Sequence, residues 1–281
     1  MKIKDILGNI LSDKPVAVVG VPYDDNSTFM KGPAKAPPKI RAAFDSDSTN
    51  KCTESGCDLS KQANFFDVGD LELKKGLNVL GYIEHIYQEL LDNQVRVLSL
   101  GGDHAVTLPI IQAYEKHFPE LNILHFDAHP DLYDEFEGNR YSHACPFARI
   151  MEEGLIKKLV QVGIRCMTSH QQEQADRFNV TVIDMKSLPK GLSKLRFSGP
   201  VYISLDLDAL DPAYAPGVSH IEPGGLRTRD IISVIQQIKA PIVGADIVEY
   251  NPVRDINGMT AMVAAKLLKE LADKMLKKDN F

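Results

Sequence analysis

The segment 121–134 of this 281-residue chain reads LNILHFDAHPDLYD, an apolar run that ends in alternating aspartates and histidines. The run 121–126 is continuous rather than alternating in hydrophobicity, which is typical of a parallel strand covered on both faces. Asp127, His129 and Asp131 follow at once. Carboxylates packed this closely repel one another and resist burial unless a positive charge lies between them. The segment therefore predicts a buried strand whose carboxyl end forms one wall of a metal site.

Similar β-branched and aliphatic runs recur along the chain, at 15–21, 95–100, 159–164, 180–183, 200–207 and 241–248. Helical patterns lie between several of them, at 78–93, 108–118 and 228–238, and Thr228 is the predicted N-cap of the third. Alternating strands and helices are typical of a largely parallel, doubly wound sheet. We therefore predict the α/β class, with residues 1–281 forming a single domain of three layers, α/β/α.

Two further segments carry a clear pattern. The C-terminal segment 262–278 has apolar residues at i+4 spacing, which predicts an amphipathic helix with its lysines on a solvated face. The segment 45–62 is polar and rich in turn residues, which predicts a long surface loop.

Composition excludes several classes of function. A net charge of -6 leaves no basic excess for a dedicated nucleic-acid binder. No apolar run approaches the roughly 20 residues needed to span a bilayer, and the segment 1–10 is too polar for a signal peptide. The four cysteines are few and irregularly spaced, which favours reduced thiols. We therefore expect a cytoplasmic protein that binds neither membranes nor nucleic acids.

Other predicted strands end in the same kind of residue as the run 121–126. The run 95–100 leads to Asp103 and His104, the run 200–207 to Asp206 and Asp208, and the run 241–248 to Glu249. A lone aspartate at such a place is usually a helix cap or a turn residue, and we assign that role to Asp103, and to Asp134 and Asp211 further along the chain. Because ligands bind at the carboxyl ends of parallel strands, the remaining residues are expected to converge.

The donor set limits the kind of ion. Carboxylates mixed with imidazole and lacking thiolate suit a hard or borderline cation such as Mn²⁺ better than structural Zn²⁺. Four carboxylates exceed what one divalent ion needs for charge balance. Two ions sharing bridging carboxylates would fit better, and would lower the pKa of a shared water molecule towards neutrality.

Five motifs in order give the chain a recognisable identity. GGDHA at 101–105, DAHPDLYD at 127–134, SHACPFAR at 142–149, SLDLDALDPAYAPGVSHIEPGGL at 204–226 and DIVEYNPVRD at 246–255 together resemble the ureohydrolase family, which includes arginases and agmatinases. Several of these sequence segments most resemble those of the plant-type arginases of the agmatinase-like branch. The resemblance covers nearly the whole chain and implies a binuclear manganese hydrolase.

The resemblance implies specific roles. For one Mn²⁺ it implies the ligands His104, Asp127, Asp131 and Asp206, and for the other Asp127, His129, Asp206 and Asp208. His143 matches the family histidine credited with proton transfer, and Glu249 matches the carboxylate that holds the substrate guanidinium. A histidine with a pKa near neutral suits delivery of a proton to a leaving amine, and a carboxylate can accept paired hydrogen bonds from a planar guanidinium.

The implied reaction is hydrolysis of L-arginine to L-ornithine and urea. The nearest alternative is an agmatinase, which would act on decarboxylated arginine, or another guanidino or ureido hydrolase of the family. A deacetylase with one zinc ion and a non-catalytic metal-binding protein are the remaining alternatives. The resemblance also implies a small guanidino substrate as the binding partner and a homo-oligomer, either a trimer or a hexamer.

Residues around these motifs are assigned more modest roles. We expect His125 to pack against or support the site, and His220 to lie at its rim. Departures from the family pattern are Ala105, Ala144 and Cys145 beside the motif histidines, and Cys166, Met167 and Thr168 where animal-type arginases carry carboxylates for the substrate α-amino group. Asn139 and Tyr141 are candidate donors for an α-carboxylate.

Overall fold

The computed structural model describes residues 15–74 and 76–277. In this part of the chain, eight strands form one parallel sheet in the order β2-β1-β3-β8-β7-β4-β5-β6. The strands are β1 Val16–Gly20, β2 Phe65–Asp70, β3 Arg96–Leu100, β4 Asn122–Phe126, β5 Lys158–Ile164, β6 Thr181–Asp184, β7 Val201–Asp206 and β8 Ile242–Val248. The predicted α/β class with a parallel, doubly wound sheet is confirmed.

Helices cover both faces of this sheet. They are α1 Ala36–Phe44, α2 Val79–Asp92, α3 Thr107–Glu115, α4 Pro146–Glu152, α5 Ser169–Arg177, α6 Thr228–Gln237 and α7 Met259–Leu276. One apolar core joins alternate strand residues to α1, α6 and α7. The other core joins the opposite strand residues to α2, α3, α4 and α5. The burial of the central strands on both faces explains their continuous apolar sequences. The three predicted layers are present.

Two details differ from the sequence-based predictions, and a third agrees. Strand β2 was not predicted, because Phe65–Asp70 lies at the sheet edge and its residues are only partly buried or exposed. Helix α6 begins at Thr228, so its N-cap is Arg227, whose N–H donates to the carboxylate of Asp230. Segment 45–62 contains turns and a short 3₁₀ helix, Leu59–Lys61, as a loop should.

The solvated lysine face predicted for α7 is wrong at Lys269. This side chain is 5% exposed, and its ammonium group donates to Thr49 Oγ1 at 3.1 Å and to the Asn50 carbonyl at 2.9 Å. The loop 45–62 covers this part of the helix, and its polar groups provide the partners that a buried ammonium requires. Lys269 therefore holds the loop against α7.

Two parts of the sequence discussed above lie outside the described residues. The segment 1–10, considered for a signal peptide, lies outside them, and so does Lys278 of the predicted C-terminal helix. Among the residues described, no helix is both long and apolar enough to cross a bilayer.

Replacing Lys269 with methionine tests whether this lysine is structural. Lys269→Met should lower the free energy of unfolding by about 1–3 kcal/mol, because the Asn50 carbonyl and the Thr49 hydroxyl lose a charged donor. Urea denaturation measures the change. The exposed Lys39 on α1 gives a matched control, Lys39→Met, which should change stability by less than about 0.5 kcal/mol. Equal effects of the two substitutions would contradict the assignment.

Candidate metal centre

The predicted site residues converge at the carboxyl ends of four adjacent strands. Strands β3, β8, β7 and β4 are neighbours in the middle of the sheet. They lead to His104, Glu249, Asp206 and Asp127 respectively. All four of these residues are buried. The parallel topology therefore brings together side chains that lie up to 145 positions apart in the sequence.

His104 lies at the centre of the first group. Its Nδ1 atom is 3.3 Å from Asp127 Oδ2, 3.1 Å from Asp131 Oδ2 and 3.2 Å from Asp206 Oδ2. The His104 side chain is fully buried, and the three carboxylates are at most 10% exposed. One imidazole nitrogen therefore faces three carboxylate oxygens in a space closed to bulk solvent.

Hydrogen bonds at the other nitrogen determine where the ring carries its proton. The Ser204 hydroxyl donates to Asp246 Oδ1 at 2.8 Å, so its oxygen is left to accept from His104 Nε2, 2.9 Å away. With the proton on Nε2, Nδ1 presents a lone pair. His104 Nδ1 is indeed a buried nitrogen without a hydrogen-bond partner. Burial lowers the pKa of His104, but the carboxylates of Asp127, Asp131 and Asp206 raise it well above its ordinary value, so this nitrogen favours a proton or a metal cation.

A second group forms around His129. Its Nδ1 atom is 3.1 Å from Asp208 Oδ2 and 3.4 Å from Asp127 Oδ1. Asp127 thus directs Oδ2 towards His104 and Oδ1 towards His129. A carboxylate whose two oxygens face different imidazoles has the arrangement of a bridging ligand between two ions.

The spacing of these ligands has a local cause. The Asp127 carboxylate accepts from the N–H of His129 at 2.6 Å, and the Asp206 carboxylate accepts from the N–H of Asp208 at 2.7 Å. An aspartate that bonds the backbone two residues later forms a tight turn and fixes its own side chain. The patterns D-x-H and D-x-D therefore place two donors at each strand end.

His125 packs beside the cluster and hydrogen-bonds one of its carboxylates, as expected. The amide of Gln161 donates to His125 Nδ1 at 3.0 Å, so His125 Nε2 donates to Asp127 Oδ2 at 2.8 Å. The imidazole is fully buried and its ring centroid lies 4.0 Å from that of Phe147. This contact fixes the orientation of the Asp127 carboxylate.

Electrostatics also favours a bound cation. Burial, and then the neighbouring carboxylates of Asp208 and Asp127, raise the pKa of Asp206 well above its ordinary value. Burial would do the same to Asp127, but His125 and His104 hold its pKa well below the usual range. Taking such charges out of water costs several kcal/mol per ion unless they are paired. Cations among these oxygens would supply the missing pairing.

His143 and Glu249 form a separate buried pair beside the cluster. The Thr28 N–H faces His143 Nε2 at 3.2 Å, so the neutral ring carries its proton on Nδ1, which donates to Glu249 Oε1 at 2.7 Å. Glu249 Oε1 also accepts from the N–H of His104 at 2.8 Å. Glu249 Oε2 is buried without a partner. Burial opposes protonation of His143, but the charge of Glu249 raises its pKa to about 9.

Two site residues have an uncommon backbone conformation. Asp131 has φ of 51° and Glu249 has φ of 62°. Residues other than glycine rarely occupy this left-handed region, and such strain is concentrated at functional sites. The Glu249 N–H donates to the Gly102 carbonyl at 2.9 Å, which ties the strained residue to the segment carrying His104.

Three residues were predicted to lie around the site, namely His220, Asn139 and Tyr141. The ring of His220 is 5.4 Å from that of His143, 5.8 Å from that of His129 and 5.8 Å from that of Phe29, so it does lie at the rim. The Asn139 amide donates to Asn26 Oδ1, while the Tyr141 residue is 53% exposed.

Asp103, Asp134 and Asp211 have the capping and turn roles assigned to them. Asp103 caps the turn 104–106 by accepting from the Ala105 N–H. Asp134 accepts from the Glu135 N–H, and Asp211 accepts from the N–H of Ala213 and from that of Gly224, 13 positions further along the chain.

Sequence reasoning missed four residues of this site. Thr28 contacts His143, Ser204 contacts His104, Gln161 contacts His125, and Asp246 contacts Ser204. Three of the four lie inside strands, where a polar residue is easily read as part of the apolar run. An Asp inside the run 241–248 was the available signal, because a buried carboxylate requires donors.

Comparison with known proteins decides the family. A profile of the Arginase family matches residues 14–273. This chain belongs to the arginase family. The resemblance drawn from the motifs is confirmed, and the chain is an arginase-family hydrolase that contains a buried cluster of histidines and aspartates.

Individual relatives give the same result. This arginase-family chain is 47% identical over 279 residues to arginase 1, mitochondrial, of Arabidopsis thaliana, covering 93% of the chain and 81% of the relative. It is 32% identical over 267 residues to an agmatinase of Bacillus cereus, covering 92% of the chain and 91% of the relative. The solved structure of arginase from Medicago truncatula has a TM-score of 0.89 at 42% identity, covering 96% of this chain and 91% of that one.

The expected cytoplasmic location is contradicted by the names of these relatives. The arginases of Arabidopsis thaliana and Medicago truncatula are named mitochondrial, and arginase 2 of Arabidopsis thaliana is named chloroplastic/mitochondrial. Our expectation rested on reduced thiols and the lack of a long apolar run. Proteins of several aqueous compartments share both features, so neither feature specifies a subcellular compartment.

Replacing Ser204 tests the proton assignment on His104. Ser204→Ala removes the acceptor for Nε2–H, and the loss of such a supporting contact should weaken metal binding about 10–100-fold. Equilibrium dialysis against Mn²⁺ measures the affinity. Ser99→Ala is a matched control, since Ser99 is a buried strand serine that bonds Tyr87 in the core. Unchanged affinity in Ser204→Ala would contradict the assignment.

Proposed function

We propose that this chain hydrolyses L-arginine to L-ornithine and urea, with two Mn²⁺ ions bound in the buried cluster. The observation that carries the proposal is the Asp127 carboxylate, which lies between His104 and His129 and faces each with a different oxygen. The substrate is inferred from relatives named arginase at 44–47% identity.

The proposed ligand sets follow these distances. His104, Asp127, Asp131 and Asp206 would hold one ion, and Asp127, His129, Asp206 and Asp208 the other. Oxygen and imidazole donors without thiolate suit Mn²⁺. When bound, two such ions polarise water for attack and stabilise the charge that develops at the reacting carbon.

Glu249 is proposed to bind and orient the guanidinium group. Its Oε1 already accepts from His104 and His143, whereas Oε2 is buried and has no partner. Although burial raises the pKa of Glu249, the adjacent His143 lowers it below the ordinary value, so the group is a carboxylate. Oε2 is therefore the acceptor offered to a guanidinium N–H, and Oε1 serves to fix its direction.

His143 is proposed to deliver a proton to the leaving amine at Nε2. The Thr28 N–H can donate to this atom when the ring is neutral, at 3.2 Å. The Thr28 hydroxyl, at 2.9 Å, can accept from it when the ring is protonated. Thr28 thus offers a partner in either state, so the ring can gain and lose a proton without losing its position.

Arginine is favoured over agmatine by the identities given above. The two substrates differ by one carboxylate, and discrimination requires donors for it. Asn139 and Tyr141 are proposed as the donors for this contact.

Two further properties belong to the proposal. We propose that residues 1–281 form one domain, since the described residues share a single sheet. We also propose a trimer or hexamer, since Val253, Ile256 and Met259 expose apolar side chains close together in the sequence, at 62%, 55% and 45%.

Urea release identifies the substrate. The Mn²⁺-loaded protein should release urea from L-arginine faster than from agmatine, and a chelator should abolish release. Colorimetric urea measurement with both substrates in parallel suffices. Preference for agmatine would show an agmatinase, and no urea from either substrate would contradict ureohydrolysis of these guanidines.

Two substitutions separate metal binding from proton transfer. Asp206→Ala should lose both bound manganese and activity, because Asp206 faces His104 and neighbours Asp208. His143→Ala should keep its manganese but lower kcat about 10²–10⁴-fold, as loss of a general acid does. Metal analysis and steady-state kinetics on the same samples measure both. A dead Asp206→Ala variant that retains two ions would contradict the bridging role.

A further inference from the structure

A second group of metal-ligating side chains lies on the outer side of His129. The side chains of His129, Cys166 and Glu222 each offer a donor atom, and these atoms all lie within 4.8 Å of one another. His129 Nδ1 faces Asp208 in the buried cluster, whereas Nε2 is 3.6 Å from Glu222 Oε1. The imidazole thus separates two donor sets that differ in chemistry.

The backbone fixes these three residues in place. The Cys166 N–H donates to the carbonyl of Ala128, the neighbour of His129, at 3.0 Å. The preceding residue, Arg165, donates from Nε at 3.0 Å and from a terminal nitrogen at 2.6 Å to the Glu222 carbonyl. Three segments distant in sequence are therefore joined at this point, and the donors are largely preorganised.

Access and donor type distinguish this group from the buried cluster. The side chains of His129 and Glu222 are 23% and 35% exposed, so an ion can reach them from solvent. One thiolate, one imidazole and one carboxylate form a set that suits Zn²⁺ or Cd²⁺, with water as a fourth ligand. The buried cluster lacks thiolate and suits harder ions.

We propose that His129, Cys166 and Glu222 form an outer binding site for a thiophilic divalent cation such as Zn²⁺ or Cd²⁺. On binding, the ion takes the positions of the Cys166 thiol proton and of the His129 Nε2 proton, both of which pass to solvent. A cation on Nε2 would share the imidazole with the inner group that Nδ1 faces, and its charge repels a cation held there, so occupancy of the outer site opposes metal binding at the inner site and inhibits hydrolysis. This inhibition rests on the proposed function, whereas the binding does not.

Cadmium titration of the Mn²⁺-loaded full chain tests the binding, because cadmium bound to thiolate absorbs in the ultraviolet. One Cd²⁺ per chain should produce this absorption. The absorption should disappear in Cys166→Ser and persist in Cys52→Ser, a control at an exposed cysteine. Glu222→Gln should weaken the cadmium affinity by at least about tenfold, the lower limit for loss of even a supporting contact. No absorption in the wild type, or its persistence in Cys166→Ser, would overturn the proposal.

Urea release in the same samples separates this proposal from the proposed function. Cadmium should inhibit the wild type at concentrations at least about tenfold below those that inhibit Cys166→Ser. A protein that shows the Cys166-dependent absorption but releases no urea before cadmium is added would overturn only the proposed function. A protein that releases urea but shows no such absorption would overturn only the outer site.

Discussion

The buried hydrogen-bond line from Asp246 through Ser204 to His104 is the interaction on which the site depends. Asp246 accepts the Ser204 hydroxyl and also bonds Thr107 and Tyr202, so its charge is satisfied without any contact with the cluster. The line places the His104 proton on Nε2 and leaves a lone pair among three carboxylates. A protein core that enforces this arrangement favours a cation at its centre.

Much of the fold and the inner site could be predicted because both follow from parallel topology. Continuous apolar runs indicate strands covered on both faces, and the carboxyl ends of such strands share one edge, so His104, Asp127 and Asp206 had to converge. Strand β2 was missed because an edge strand needs no continuous apolar run. Thr28 was missed because its contact joins residues 115 positions apart and no local pattern reports it.

The remaining features depend on how loops return to the sheet. Asp131 and Glu249 adopt left-handed backbone conformations that no propensity indicates. His129 contacts the inner cluster with one nitrogen and faces Glu222 with the other, from a loop 93 positions away in the chain. Such a shared imidazole can be recognised only once the loops are in place.

The number of manganese ions and their magnetic coupling test the central claim most directly. Electron paramagnetic resonance during Mn²⁺ titration of the metal-free protein measures both quantities. A carboxylate shared between His104 and His129 predicts two ions per chain with a spin-coupled spectrum, since the bridged ions would lie about 3.5–4 Å apart. Saturation at one ion, or two ions with the spectrum of isolated Mn²⁺, would contradict the binuclear account.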